Sequence, residues 1–333
     1  MTLHLFYEKS HTASTRIRLV QMAPHLEARG FACRVLAYPR EAVAQRALRE
    51  AIAPGDVVLI YRTRPTRRET RFWRALPVPR IYDFDDAVMW GRHRGLRGVW
   101  TRSRRSAGFA RALASANAAT CGNAFLAAQC GDLPTAIVPS AVPLDVPQHE
   151  VRASAEPFRV GWVGKNTNLR YVREIGDALA ELARRVPLEV VCVSNGELAL
   201  AGCRIVNVPW TRDGEAQVVA GFDVGIMPLT LDEGWSRGKC AYKLLQYMAA
   251  GVPAVGSDIG MNTELIEPGR NGLLARELLE HRHPVGCAAR DAALRERLGR
   301  AGRETAREYG YSAVADRLAA FVSRVADGSI AAR

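Results

Sequence analysis

No run of about 18 apolar residues occurs in this chain, so no segment reads as a membrane-spanning helix. Its start, MTLHLFYEKS, lacks the basic-then-apolar layout of a secretory leader, and a cytoplasmic protein is expected. Cysteines are few, odd in number and never spaced C-x-x-C, which argues against a metal knuckle, a dithiol redox motif or a disulfide framework. Cys33, Cys121, Cys130, Cys192, Cys203, Cys240 and Cys287 are expected as reduced core residues. The phosphate-loop candidate GWVGKNTN (161–168) lacks the G-x-G-x-x-G pattern, and no acid closes the next strand, so a nicotinamide site is not expected. Lysine is the scarcest charge. Only Lys9, Lys165, Lys239 and Lys243 stand among 46 cations, so a lysine carries more information here than an arginine.

What is present is a soluble composition, 48% apolar and 24% charged, over 333 residues, too many for one ordinary core. Strands are expected at 3–8, 32–39, 56–62, 80–86 and 118–123, and again at 158–164, 188–194, 203–209, 223–229 and 253–258. Helical segments such as 16–29 lie between them. This alternation predicts two parallel sheets covered by helices, each doubly wound, facing a cleft at the carboxyl ends of their strands. The expected domains are 1–142, a Pro-rich linker at 143–157, a second domain at 158–310 and a last amphipathic helix at 311–327.

The net charge of +12 is concentrated. Residues 62–111 hold 14 Arg against Glu69, Asp83, Asp85 and Asp86, with Trp73, Trp90 and Trp100 interleaved. Such a window suits an anionic membrane surface, an anionic acceptor or nucleic acid, or is a solvated basic face.

Several glycine-bearing turns follow strands. In RGKCAYK (237–243), Lys239 and Lys243 are four apart, which predicts one face in the first turns of a helix. Two cations at that end oppose the helix dipole unless an anion joins them, and a diphosphate fits. Gly251 should end this helix before a short buried strand. Gly164, Lys165 and Asn166 form a second phosphate-loop candidate, and the turn holding Gly260, Met261 and Asn262 a third. In HTASTRIR (11–18), Ser14 or Thr15 suits an N-cap, and Arg16 and Arg18 are candidates to face the cleft. YDFDDAVMW (82–90) ends a strand in three acids, expected to pair with arginines, bind sugar hydroxyls, act as a base or hold a metal through D-x-D.

Segments 238–275, 13–39 and 82–90 together resemble glycosyltransferase family 4, the retaining enzymes of GT-B fold. The resemblance implies transfer of a sugar from a nucleotide-sugar to an acceptor, without a divalent metal or other cofactor. It implies Lys165 and Asn166, with Gly164, beside the donor diphosphate, and Lys239 and Lys243 by the phosphates and the transferring sugar. Gly260, Met261 and Asn262 would present backbone N–H groups, and Asp85 or Asp86 would face the sugar. Ser14 and Arg16 are carried as binding candidates. The last helix would cross back to the first domain. The family's two glutamates eight apart fall on Gly238 and Gln246, and Gln246 retains a hydrogen bond to a ribose hydroxyl. Pro284 and Gly286 fall where a helix is expected. The expected acceptor is a glycan, lipid-linked or anionic, with a place on the inner face of the cytoplasmic membrane and no nucleic-acid partner. The rival readings are a GT-A transferase using Asp83 and Asp85, a sugar-nucleotide epimerase of the same fold, and a nucleic-acid-binding protein using 62–111.

Overall fold

The computed structural model describes residues 1–10, 12–90, 96–152, 157–231, 234–277 and 279–330, without the side chains of 96–100 and 279. His11, the Arg-rich window at 91–95, the Trp100 side chain, the linker at 153–156 and the turn at 232–233 lie outside the described residues. Two compact units are present. One comprises Met1–Ala141, Arg237–Cys240 and Tyr311–Arg333, the other Val142–Ser236 and Ala241–Gly310.

The first unit is built on a parallel sheet: β1 (Thr2–Tyr7), β2 (Ala32–Ala37), β3 (Val57–Tyr61), β4 (Arg80–Phe84), β5 (Ala118–Cys121) and β6 (Thr135–Ile137). Their spatial order is β2-β1-β3-β4-β5-β6. The β-branched run VVLIY of β3 is buried throughout, as a central parallel strand covered on both faces must be. The helix Tyr311–Ala326 packs Val314, Leu318, Phe321 and Val322 into this unit's core beside Leu3, Leu19 and Leu26. The second unit holds β7 (Phe158–Val163), β8 (Leu188–Ser194), β9 (Arg204–Pro209), β10 (Val224–Met227), β11 (Ala254–Ser257) and β12 (Leu273–Ala275), in the order β12-β11-β10-β7-β8-β9. Its core gathers Val160, Trp162, Leu179, Val190, Ile226 and Val255.

All ten expected strands form. β6 and β12 are additional, and at three residues each they are too short to show a period. The expected helix at 16–29 is interrupted: a wide π-turn covers Arg16–Val20 and a helix restarts at Ala23–Glu27. Pro24 is the cause, since it offers no N–H to the Val20 carbonyl and its ring crowds that oxygen. Thr12, not Ser14 or Thr15, caps the preceding turn by accepting the Thr15 N–H. The segment with Pro284 and Gly286 is helical over Arg282–Arg290, because Pro284 lies in the first turn, where no intrahelical donor is needed. Gly251 ends the helix Tyr242–Ala249 at φ 74°, a left-handed position that favours glycine. All seven cysteines are free, but Cys33 and Cys203 are half-buried and Cys287 is exposed, so the core expectation fails for these three.

Candidate active site

In the first unit, the acids at the end of β4 divide by burial. Asp83 points inward. It accepts from Arg18 Nε at 2.8 Å, from Arg18 Nη2 and from Thr120 Oγ1 at 2.7 Å, while Arg18 Nη1 also donates to the Val138 carbonyl at 3.0 Å. Burial works against the Arg18 charge, but the Asp83 carboxylate outweighs it and raises the guanidinium pKa. Arg18 therefore faces the core, contrary to expectation, and Asp83 is committed to a buried ion pair.

Asp85 and Asp86 lie just beyond the strand. Asp85 accepts from Tyr61 Oη at 2.8 Å and Arg62 Nη1 at 3.1 Å. Asp86 is paired with Arg62 Nη2 at 3.0 Å and Lys239 Nζ at 2.8 Å. Two carboxylates thus meet two cations. Burial alone lowers the Arg62 pKa, but Asp85 and Asp86 raise it, and burial together with Asp85 pushes the Tyr61 phenol up. Arg62 takes φ 52°, in a region that costs a non-glycine residue about 1–3 kcal/mol.

Segment 237–240 is fixed to this cluster by Asn123. Its Nδ2 donates to the carbonyls of Arg237 (3.2 Å) and Lys239 (3.0 Å), while its Oδ1 caps the next helix through the Leu126 N–H (2.9 Å). Cys240 Sγ donates to the Asp85 carbonyl at 3.0 Å. A Cβ on Gly238 would stand 2.7 Å from Ala87 Cβ and 3.0 Å from its amide nitrogen, so no glutamate fits there. Lys239 and Lys243 do not share a helix face. Ala241, at φ 47°, breaks the chain direction, and the helix begins only at Tyr242.

In the second unit, the turn after β7 and the first turn of the helix Tyr242–Ala249 come together. A Cβ on Gly164 would lie 2.7 Å from Trp162 Cη2 and 3.0 Å from Lys243 Cε. Lys243 Nζ stands 5.5 Å from the Trp162 ring centroid. Lys165 and Asn166 are exposed, and the Asn166 N–H donates to Asn195 Oδ1 at 2.9 Å. Gly260 opens the turn after β11 at φ 56°, at the same edge of the sheet. Met261 and Asn262 turn their side chains inward. Asn262 Nδ2 donates to the Ser257 carbonyl at 3.0 Å, and its buried Oδ1 has no partner among the described residues. That turn has its backbone, not its side chains, to offer a ligand. Gln246 and Ser14 are half-buried, as is Arg16, whose Nε is buried without a hydrogen bond among the described residues.

The structure thus brings Gly238 and Lys239 to Asp85 and Asp86, and Gly164 to Lys243. Sequence reasoning missed Tyr61, Arg62 and Asn123. Arg62 was hidden among thirteen other arginines of its window. Asn123 carried only the signal of an N-cap.

The two sheets, their strand orders and the glycine turns at the strand ends define a GT-B glycosyltransferase fold. Sucrose-phosphate synthase (tll1590) from Thermosynechococcus elongatus is similar over 98% of this chain and 99% of its own, at TM-score 0.73 and 13% identity. Anabaena Alr3699/HepE, solved in complex with UDP and glucose, is similar over 97% and 99%, at TM-score 0.69 and 14% identity. The apo lipopolysaccharide outer core galactosyltransferase WaaB is similar over 99% and 100%, at TM-score 0.67 and 10% identity. No curated protein sequence matches the chain. Residues 157–281 match the family model Glycosyl transferases group 1.

Proposed function

We propose that the protein transfers a glycosyl group from a nucleotide-sugar to a glycan acceptor, with retention at the anomeric carbon and without a divalent metal. The observation that carries this reading is Lys243 laid across Gly164 beside Trp162 at the carboxyl end of β7. A bare glycine backbone and an ammonium at one point suit a diphosphate. The HepE structures with UDP and with UDP-glucose support a nucleotide-sugar as the donor class.

In this reading the bond from the anomeric carbon to the diphosphate oxygen breaks, and charge grows on the departing diphosphate. Lys243, with Lys165 and the backbone of 164–166, stabilises that charge, and 260–262 offers further N–H groups. Gln246 takes a ribose hydroxyl, the acceptor oxygen bonds to the anomeric carbon, and its proton leaves with the departing diphosphate. Asp85, Asp86 and Lys239 are the catalytic candidates of the first unit, and Ser14 and Arg16 its donor-binding candidates. Losing one stabilising group typically costs on the order of 10²–10³ in rate.

The acceptor is proposed to be anionic or lipid-linked. The helix Arg67–Arg74 exposes Arg67, Arg68, Arg71 and Arg74, while its one acid, Glu69, is buried in a capping box with Thr66 and paired to Arg40. The reading places the protein on the inner face of the cytoplasmic membrane through this basic surface; among the described residues no helix is long and apolar enough to cross a membrane.

The test is thermal unfolding with UDP, GDP, dTDP, ADP and CMP, with and without EDTA, for the native chain and Lys243→Ala. One nucleotide should stabilise the native chain, by roughly 2.7 kcal/mol at about 100 times its dissociation constant. The variant should fold and lose the effect, and EDTA should change nothing. A stabilisation that survives in Lys243→Ala would sink the assignment.

A further inference from the structure

The second unit holds a cavity of about 220 Å³ remote from the turns just described. Its floor is Gly251, which precedes β11, whereas Gly260 follows that strand. One wall is a ridge of the helix Ala292–Arg307, where Glu296, Arg300, Arg303 and Arg307 recur at intervals of four, three and four. Gly299 lets this helix close on Gly251, because a Cβ there would overlap the Gly251 carbonyl oxygen. The opposite wall is His149.

Three features mark it as more than a surface groove. Arg300, Arg303 and Arg307 are exposed and make no side-chain hydrogen bond or ion pair among the described residues, although Glu296 and Glu304 stand four residues either side of Arg300. Arg303 lies across Gly251, its Cδ 3.2 Å from where a Cβ would be, so its position is set by packing. His149 Nδ1 is 3.1 Å from the Ala220 carbonyl, which only accepts, so Nδ1 carries the proton. Burial lowers the ring's pKa and keeps it neutral at pH 7, so this wall adds no charge beside the arginines, and Nε2 is buried without a partner among the described residues.

We propose that this cavity binds a small hydroxyl-bearing phosphomonoester. The phosphoryl oxygens meet Arg300, Arg303 and Arg307, and the hydroxyls donate to Glu296 and Glu304. A cavity of this volume is of a size to take a phosphorylated sugar of a few carbons.

Titration calorimetry of the full chain with inorganic phosphate, glycerol 3-phosphate, glucose 6-phosphate and glucose tests this. The variants are Arg300→Gln/Arg303→Gln, on the exposed face of one helix, and Lys243→Ala, at the proposed donor site. A sugar phosphate should bind, glucose should not, and inorganic phosphate should bind about tenfold or more weakly. The double variant should lose about tenfold or more in affinity for the ester, while Lys243→Ala leaves it unchanged. Absence of ester binding to the native chain overturns the proposal. So does ester binding that Lys243→Ala abolishes and the double variant keeps, which moves the phosphate to the donor site. Inorganic phosphate binding as tightly as the ester removes the role given to the hydroxyl acceptors.

Discussion

Consider replacing Arg18 by methionine. The guanidinium is buried and makes two hydrogen bonds to Asp83 and one to the Val138 carbonyl. Methionine fills most of the volume but leaves the Asp83 carboxylate, only 3% exposed, with Thr120 as its one remaining side-chain donor. An uncompensated buried charge of this kind costs about 3–5 kcal/mol. For a unit of this size, that is a fall of roughly 6–20 °C in its unfolding midpoint. The double variant Arg18→Met/Asp83→Leu removes both charges and the desolvation they share. It should return to within about 2 kcal/mol of the native chain, since a buried pair exchanged for apolar side chains is often neutral. Urea unfolding followed by tryptophan fluorescence reads both, because Trp73 is buried in this unit and Trp162 in the other. If the single variant costs less than about 1 kcal/mol, or the double variant is the worse of the two, the buried-pair reasoning is wrong. The double variant should also keep the nucleotide-dependent stabilisation. Its loss would return Asp83 to the chemistry and revive the D-x-D metal reading.

Two further outcomes follow from the first unit. Burial pushes the Asp56 carboxyl up, but hydrogen bonds from His4 Nε2 (3.0 Å) and the N–H groups of Ala53 and Thr2 outweigh it and hold the pKa at about 2. A depressed carboxyl stabilises the fold above its unfolded pKa near 4, so about 2 kcal/mol is lost as pH falls from about 4 through about 2. Asp56→Asn should flatten that acid limb in urea titrations from pH 5 to 2, and an unchanged limb would count against it. Gly238→Ala should lower the melting temperature by an amount equivalent to about 1–3 kcal/mol, since the new Cβ meets Ala87, and a neutral result would mean the contact yields freely.

The fold was legible because parallel strands here are continuous apolar runs, and ten of twelve announce themselves. The missing two, β6 and β12, take their identity from pairing with β5 and β11 rather than from their own residues. In the segment 16–29 the apolar period continues through Pro24 and masks the break that this residue imposes. At the site, scarcity identified the informative cations but not their partners. The acids of 83–86 read as one cluster, whereas strand geometry sends Asp83 inward to Arg18 and leaves Asp85 and Asp86 beyond the strand end. Arg62 gained its role from a left-handed backbone, which no residue type reports.

The same logic separates the two lysines that the sequence placed together. A helix presents positions four apart on one face only if it runs unbroken through them, and Ala241 in a left-handed conformation stops it. Lys239 then belongs to the first unit, where Asp86 already neutralises it at 2.8 Å. Lys243 stays in the second, over Gly164. Lys243 lies beside the bare backbone of Gly164, while an anion arriving at Lys239 must first displace a carboxylate. In the proposed reading Lys243 is the lysine assigned to the diphosphate, on its place over Gly164. It leaves Lys239 to set the charge and position of Asp86, where Arg62 acts from the other side.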